Sequence, residues 1–121
     1  MSSALNDLAA RYIEVWNEPD AGARRTAIAG LFAADAEHYT PTREVRGRAE
    51  LAERIGGAYQ QWVEPGAHFF RSAGDATGHH SAVRFHWEMV VRATGEVVSV
   101  GFDFLLLDDD GRIRSDHQFV D

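Results

Sequence analysis

The 121-residue sequence contains no cysteine and no lysine, so all twelve of its basic side chains are arginine. Without cysteine the chain forms no disulfide, no thiolate nucleophile and no thiolate metal site. Without lysine it forms no Schiff base with a carbonyl substrate or with pyridoxal phosphate. These absences exclude several classes of covalent and cofactor-dependent enzyme, and we expect neither a cofactor nor a metal ion.

Positive charge is also scarce, because the formal net charge is -7 and the isoelectric point is about 5.3. Nucleic acids and anionic membranes bind basic surfaces, so neither is an expected partner. The uninterrupted apolar stretches are too short to cross a bilayer, and the first residues lack the pattern of a signal peptide. We therefore expect a cytoplasmic protein without membrane association.

The length and the 45% hydrophobic content suit one domain, residues 1–121, with a single core. Three segments of the first half carry apolar residues at helical spacing: residues 5–16, residues 21–32 after a capping Asp20, and residues 47–62. Between the last two, residues 37–39 read as a short extended segment that ends before Pro41. The sequence therefore predicts three amphipathic helices.

After Gly66 the apolar period changes to two, in four strand-like runs: residues 67–73, 81–92, 96–107 and 112–120. The turns between them are short, and such turns join antiparallel strands. In the second run Val83 and Phe85 alternate with Arg84 and His86, which gives one apolar face for the helices. The fold class predicted is α+β, with three helices packed on an antiparallel sheet.

This order of elements resembles the nuclear transport factor two-like, or SnoaL-like, superfamily. Five short stretches carry the resemblance: ARYIE at 10–14, LFAADA at 31–36, the glycine at 47, FDF at 102–104 and DGRI at 110–113. The superfamily includes polyketide cyclases, ketosteroid isomerases, scytalone dehydratases and limonene epoxide hydrolases. The resemblance implies a strongly curved sheet, a cystatin-like cone that encloses a hydrophobic pocket, and a homodimer.

Within that superfamily the sequence is most similar to ketosteroid isomerase, in which a tyrosine of the first helix and a late-strand aspartic acid donate hydrogen bonds to an enolate oxygen. The resemblance assigns these roles to Tyr12 and Asp103. Asp103 lies between Phe102 and Phe104, and desolvation by such apolar neighbours favours the protonated carboxyl group. Ketosteroid isomerase is itself the known example of an aspartic acid kept neutral in this way.

The general base of the isomerase is an aspartate that precedes a proline, and Thr40 occupies that position here. Threonine cannot serve as that base. Strand alternation places His38 on the same side as Thr40, so His38 is the candidate catalytic base.

The predicted substrate-binding residues are mostly aromatic. In a cone-shaped fold the side chains of the core also form the wall of the pocket, so we expect some of them to contact the ligand. They are Trp16, Tyr39, Trp62, Phe85, Trp87, Met89, His117 and Gln118. On the last strand, His117 and Gln118 lie on opposite faces. The resemblance favours Gln118 in the pocket, and a β-bulge would favour His117 instead.

Two functions remain open. The first is a cofactor-independent isomerase, cyclase or dehydratase that stabilises an enolate or oxyanion of an apolar or aromatic carbonyl ligand. The second is a non-catalytic ligand-binding or dimerisation module of the same fold, which the loss of the usual base at Thr40 favours.

Overall fold

The computed structural model describes residues 3–120, so residues 1, 2 and 121 of the predicted domain lie outside the described part. The helices are α1 (Ser3–Asn17), α2 (Ala21–Leu31) and α3 (Gly47–Ala58), and a π-helical turn, Tyr59–Val63, follows α3. The strands are β1 (Phe32–Tyr39), β2 (Glu44–Arg46), β3 (His68–Ser72), β4 (Thr77–His79), β5 (Ala82–Val91), β6 (Val97–Leu107) and β7 (Ile113–Val120). The predicted α+β fold is confirmed.

The starts of two helices follow from their sequences. The Asp20 carboxylate accepts a hydrogen bond of 2.7 Å from the backbone N–H of Ala23, which caps α2. Gly47, the first residue of α3, has a φ of +81°. Residues with a side chain rarely adopt that conformation, so glycine allows the chain to turn sharply from β2 into α3.

The sheet has the strand order β2-β1-β7-β6-β5-β3, and β4 also pairs with β5. The four predicted strands, β3, β5, β6 and β7, pair antiparallel as their short turns indicate. β1 pairs with β7 in parallel, so the whole sheet is mixed. Short turns predict antiparallel pairing only for strands that follow each other in the chain. Most of the chain lies between β1 and β7, so that argument does not apply to this pair.

One face of the sheet packs against the helices. On β5, Val83, Phe85 and Trp87 are buried as the alternation predicts. The register shift opposite Met89 and Val90 comes from an extra residue on β6, Val98, and Val90 is buried on the opposite face of β5 from Met89. Within residues 3–120, no helix is both long enough and apolar enough to span a membrane.

Candidate functional site

Four buried side chains from α1, β1, β6 and β7 form one continuous hydrogen-bonded chain. The Tyr12 hydroxyl oxygen lies 2.9 Å from Oδ2 of Asp103 and 2.6 Å from Oδ2 of Asp116. The same Asp116 oxygen lies 2.8 Å from Nδ1 of His38. None of the four residues is more than 1% exposed. We call Asp103, Tyr12, Asp116 and His38 the buried network.

The sheet register explains why these residues meet. Parallel pairing of β1 with β7 sets His38 directly opposite Asp116. Antiparallel pairing of β6 with β7 sets Asp103 opposite Gln118, so Asp103 and Asp116 are diagonal neighbours on one face. Tyr12 reaches this face from α1, and its ring packs edge-on against Phe85 with centroids 5.4 Å apart.

The protons of the network can be placed by counting donors. A tyrosine hydroxyl carries a single proton, yet Tyr12 lies close to two carboxyl groups. The shorter distance favours donation to Asp116, and a proton on Oδ2 of Asp103 then supplies the hydrogen bond between Asp103 and Tyr12. Trp87 Nε1 donates to the other oxygen of Asp103 at 2.7 Å. Asp103 is therefore a neutral carboxylic acid.

The electrostatics of the two carboxyl groups agree with this count. Burial raises the pKa of Asp103 well above its usual value, and the adjacent Asp116 charge raises it further. Burial also raises the pKa of Asp116, but hydrogen bonds to Asp103 and Tyr12 and the charge of Arg54 act in the opposite direction. These opposing effects favour the negative charge of the pair on Asp116, whose Oδ2 contacts Tyr12 and His38 and whose Oδ1 has no partner among residues 3–120.

His38 ends the network as a neutral imidazole. Burial lowers the pKa of His38 to about 4, and the positive charge of Arg54 acts in the same direction. Its Nδ1 faces the Asp116 carboxylate and therefore holds the proton, which leaves Nε2 as the unprotonated nitrogen. Nε2 is buried and has no hydrogen-bond partner among residues 3–120. The lone pair of Nε2 is free to accept a proton.

A cavity of about 380 Å³ adjoins the network, and Tyr12 forms part of its wall. This volume suits a small ligand. The wall is apolar and aromatic at Trp62, Phe70 and Trp87, and it is polar where the side chains of five residues reach it: Arg43, Arg54, Gln61, Ser99 and Gln118.

The structure brings together most of the predicted site residues. Five of the predicted substrate-binding residues line the cavity: Trp16, Trp62, Trp87, Met89 and Gln118. Of the predicted catalytic residues, Tyr12 lines the cavity, whereas Asp103 and His38 lie behind its wall. The roles of these residues stay predictions.

Three residues predicted to bind substrate lie outside this cavity wall. Phe85 is buried behind Tyr12. Tyr39 and His117 stack on each other with ring centroids 5.1 Å apart. β7 has no bulge between Asp116 and Gln118, so His117 points to the opposite face of the sheet from those two residues.

The sequence analysis missed two residues, Asp116 and Arg54. Strand alternation places Asp116 on the same face as Gln118, and that signal could have identified it. Arg54 lies three residues after Leu51 and four before Ala58, on the inner stripe of α3. Its Nη2 donates a hydrogen bond of 3.1 Å to Oε1 of Gln118.

The donor set offers no evident metal site. Among residues 3–120, no group of three or more histidine, aspartate or glutamate side chains is arranged to hold a metal ion.

The family of the chain is shown by a sequence comparison. A sequence model described as the SnoaL-like domain matches residues 9–115. No curated protein matches the chain in sequence.

Solved structures match over nearly the whole chain. A candidate isomerase of the SnoaL-like family from Agrobacterium tumefaciens is 29% identical, with a TM-score of 0.86 and 95% of each chain covered. A candidate polyketide cyclase from Sinorhizobium meliloti is 17% identical, with a TM-score of 0.71 and 98% of each chain covered. A protein of ketosteroid isomerase-like fold from Catenulispora acidiphila, in complex with trimethylamine, is 15% identical with a TM-score of 0.67; 92% of this chain and 82% of that chain are covered.

Proposed function

The chain belongs to the SnoaL-like domain family, and on that premise we propose that it is a cofactor-independent enzyme that moves a proton on a small carbonyl compound. The reaction is an isomerisation, a cyclisation or a dehydration that passes through an enolate. The observation that carries this proposal is the neutral His38, whose free Nε2 ends a buried network beside a ligand-sized cavity.

His38 is the proposed general base. Its low pKa keeps the imidazole unprotonated at neutral pH. The Asp116 carboxylate fixes the Nδ1–H tautomer and stabilises the imidazolium that forms when Nε2 takes a proton from the substrate carbon. Asp116 is thus a positioning residue that acts through His38.

His38 lies behind the cavity wall, next to Trp16. The His38 ring is 5.9 Å from the ring of Trp16, and Trp16 lines the cavity. Nε1 of Trp16 is also buried without a hydrogen-bond partner in the described part of the chain. A ligand that presents its acidic C–H to Nε2 of His38 would leave the Trp16 N–H for a neighbouring ligand acceptor, which supports binding of the reacting end here.

Tyr12 is the proposed donor to the enolate oxygen, and for this its single hydroxyl proton has to turn from Asp116 to the ligand. Burial raises the pKa of Tyr12 well above its usual value, so the hydroxyl keeps its proton. Asp103 donates to the Tyr12 oxygen, and donation along a chain strengthens the next donor. In the resemblance to ketosteroid isomerase both residues contact the substrate. Here Asp103 lies behind the wall and acts through Tyr12.

Hydrogen–deuterium exchange of 2-tetralone in D₂O, followed by proton NMR, tests this function. The chain should accelerate exchange at the carbons next to the carbonyl group. His38→Gln should remove on the order of 10² of that rate or more, and Asp116→Asn should also lower it. His79→Gln is the matched control, because His79 is exposed on β4.

The contrary result would be binding without chemistry. If the protein binds 2-tetralone but does not accelerate exchange, the proposal is wrong. A non-catalytic ligand-binding module would then be the better account.

A further inference from the structure

The charged side chains in the cavity wall are all of one sign. Arg43 and Arg54 line it, and no aspartate or glutamate among residues 3–120 does. The chain as a whole has a formal charge of -7, so a purely cationic wall does not reflect its average composition. The two arginines therefore mark the cavity as a place that attracts anions.

Neither guanidinium group is neutralised within the described structure. In residues 3–120, no carboxylate lies within 4.0 Å of Arg43 or Arg54. Burial lowers the pKa of Arg54, and the nearby positive charge of Arg43 lowers it further. The charge of Asp116 opposes this effect, but Asp116 already accepts hydrogen bonds from Tyr12 and His38. A ligand anion would relieve the repulsion between the two arginines.

Two buried donors at the same part of the wall lack an acceptor. They are Nε–H of Arg54 and Nε1–H of Trp16, neither of which has a hydrogen-bond partner within residues 3–120. The Arg54 guanidinium lies over the Trp16 ring, 5.2 Å from its centroid, so the two donors are close together. Buried donors without acceptors are costly, and an oxygen acceptor satisfies both; an anionic oxygen does so most strongly, because one donor belongs to a guanidinium group.

The rest of the wall suits a flat apolar body. Phe70 and Trp87 pack edge to face with centroids 5.7 Å apart, and Trp62 and Met89 complete this surface. Aromatic surfaces of this kind bind rings and fused rings.

We propose that the ligand of this cavity is a carboxylate with an apolar, ring-containing body, and that Arg54, assisted by Arg43 and Trp16, binds the carboxylate. In the reaction proposed above the substrate is then a keto acid. This inference rests on the proposed function only in taking the cavity as the substrate site, and it holds whichever proton is moved.

Binding of 2-naphthoate and of the neutral 2-naphthamide, measured by calorimetry, tests the proposal. The two probes share the same ring system and differ in charge. We expect 2-naphthoate to bind at least about tenfold more tightly, since a charged hydrogen-bonded pair contributes about that much or more. Arg54→Met should weaken 2-naphthoate by about 10- to 100-fold and leave 2-naphthamide within about twofold.

Arg114→Met is the matched control, because Arg114 is exposed on β7 and lies outside the cavity wall. It should change neither affinity. Arg43→Met provides a second variant if Arg54→Met does not fold, and it should lower only the 2-naphthoate affinity.

Three results would overturn the proposal. The first is equal affinity for the two probes, and the second is no binding of either probe. The third is a carboxylate preference that survives in the Arg43→Met, Arg54→Met double variant. Failure of the reaction gives a different pattern. A carboxylate preference without exchange of either 2-tetralone or an aromatic keto acid, phenylpyruvate, supports this inference and contradicts the proposed enzyme. Exchange without a carboxylate preference supports the proposed enzyme and contradicts this inference.

Discussion

At the scale of single residues, the Tyr12 hydroxyl links two carboxyl groups, and one of these, Asp116, contacts the imidazole of His38. Tyr12 and Asp103 were identifiable from the sequence because their local surroundings resemble a known family. Asp116 was missed, although strand alternation places it on the face of Gln118, because a charged residue with polar neighbours on a last strand is usually exposed to solvent. Only the parallel pairing of β1 with β7 places it opposite His38 and buries it completely.

Asp103 should remain protonated at neutral pH, because burial and the Asp116 charge raise its pKa. Carbon-13 NMR titration of the aspartate side-chain carboxyl groups, with Asp103→Asn for assignment, measures this directly. An Asp103 signal that titrates at or below the ordinary value of about 3.9 would show an ionised side chain and would contradict the proton count.

His38 should make the protein less stable as the pH falls below neutral. Its folded pKa of about 4 lies below its unfolded value of about 6.5, so the unfolded state takes up a proton first. This contribution to the free energy of unfolding is complete above pH 6.5 and decreases by up to about 3 kcal/mol toward pH 4.

Urea denaturation of the wild type and of His38→Gln at several pH values isolates this contribution. The stability difference between the two proteins should shrink between pH 6.5 and pH 4. A constant difference would mean that His38 is not held neutral by the fold.

At the scale of elements, the sequence predicted the helices and strands that have a regular apolar spacing of their own. Three helices and the four strands of the C-terminal half follow from apolar spacing and glycine-bounded turns. β2 and β4, of three residues each, were missed because they lie in segments with strong turn signals. The parallel β1–β7 pair was missed because a contact between distant segments leaves no local pattern.

Gly101 on β6 should be essential for the position of Trp87. A Cβ atom at residue 101 would lie 2.0 Å from Cζ2 of Trp87, so Gly101→Ala must displace the indole that donates to Asp103 and lines the cavity. We expect a loss of about 1–3 kcal/mol in the free energy of unfolding. Urea denaturation measures it.

Gly57→Ala is the control for that substitution, because a Cβ atom there contacts nothing within 4 Å in helix α3. It should be neutral or slightly stabilising, by about 0.5–1 kcal/mol. Equal effects of the two substitutions would show that Gly101 does not position Trp87.

At the scale of the whole molecule, the outer surface suggests where a second copy binds. The exposed large apolar residues are Trp62, Val97, Val98, Phe119 and Val120, and four of them lie on β6 and β7. The polar residues His86 and Glu88 of β5 are already paired, with Asp75 and Arg71. We propose a homodimer that buries the outer face of β6 and β7 around Phe119, since interface centres are depleted in charge; Val120 lies on the other face, where it lines the cavity.

Light scattering should therefore give a mass of twice 13.4 kDa. Phe119→Arg should shift the mass toward the monomer, because Phe119 is 50% exposed in the single chain and a charge there would be buried in the dimer. A wild-type mass of one chain across the accessible concentration range would refute the dimer.

The central claim is that Nε2 of His38 is an unprotonated base within reach of a ligand in the cavity. Nitrogen-15 NMR of histidine-labelled protein with and without 2-naphthol tests it most directly, because a phenolic O–H bound to Nε2 moves that nitrogen resonance upfield. The account predicts a neutral His38 with the proton on Nδ1 in the free protein, and an Nε2 resonance that moves when 2-naphthol binds. A doubly protonated His38 at pH 7, or an Nε2 resonance that stays unchanged while calorimetry shows 2-naphthol bound, would contradict it.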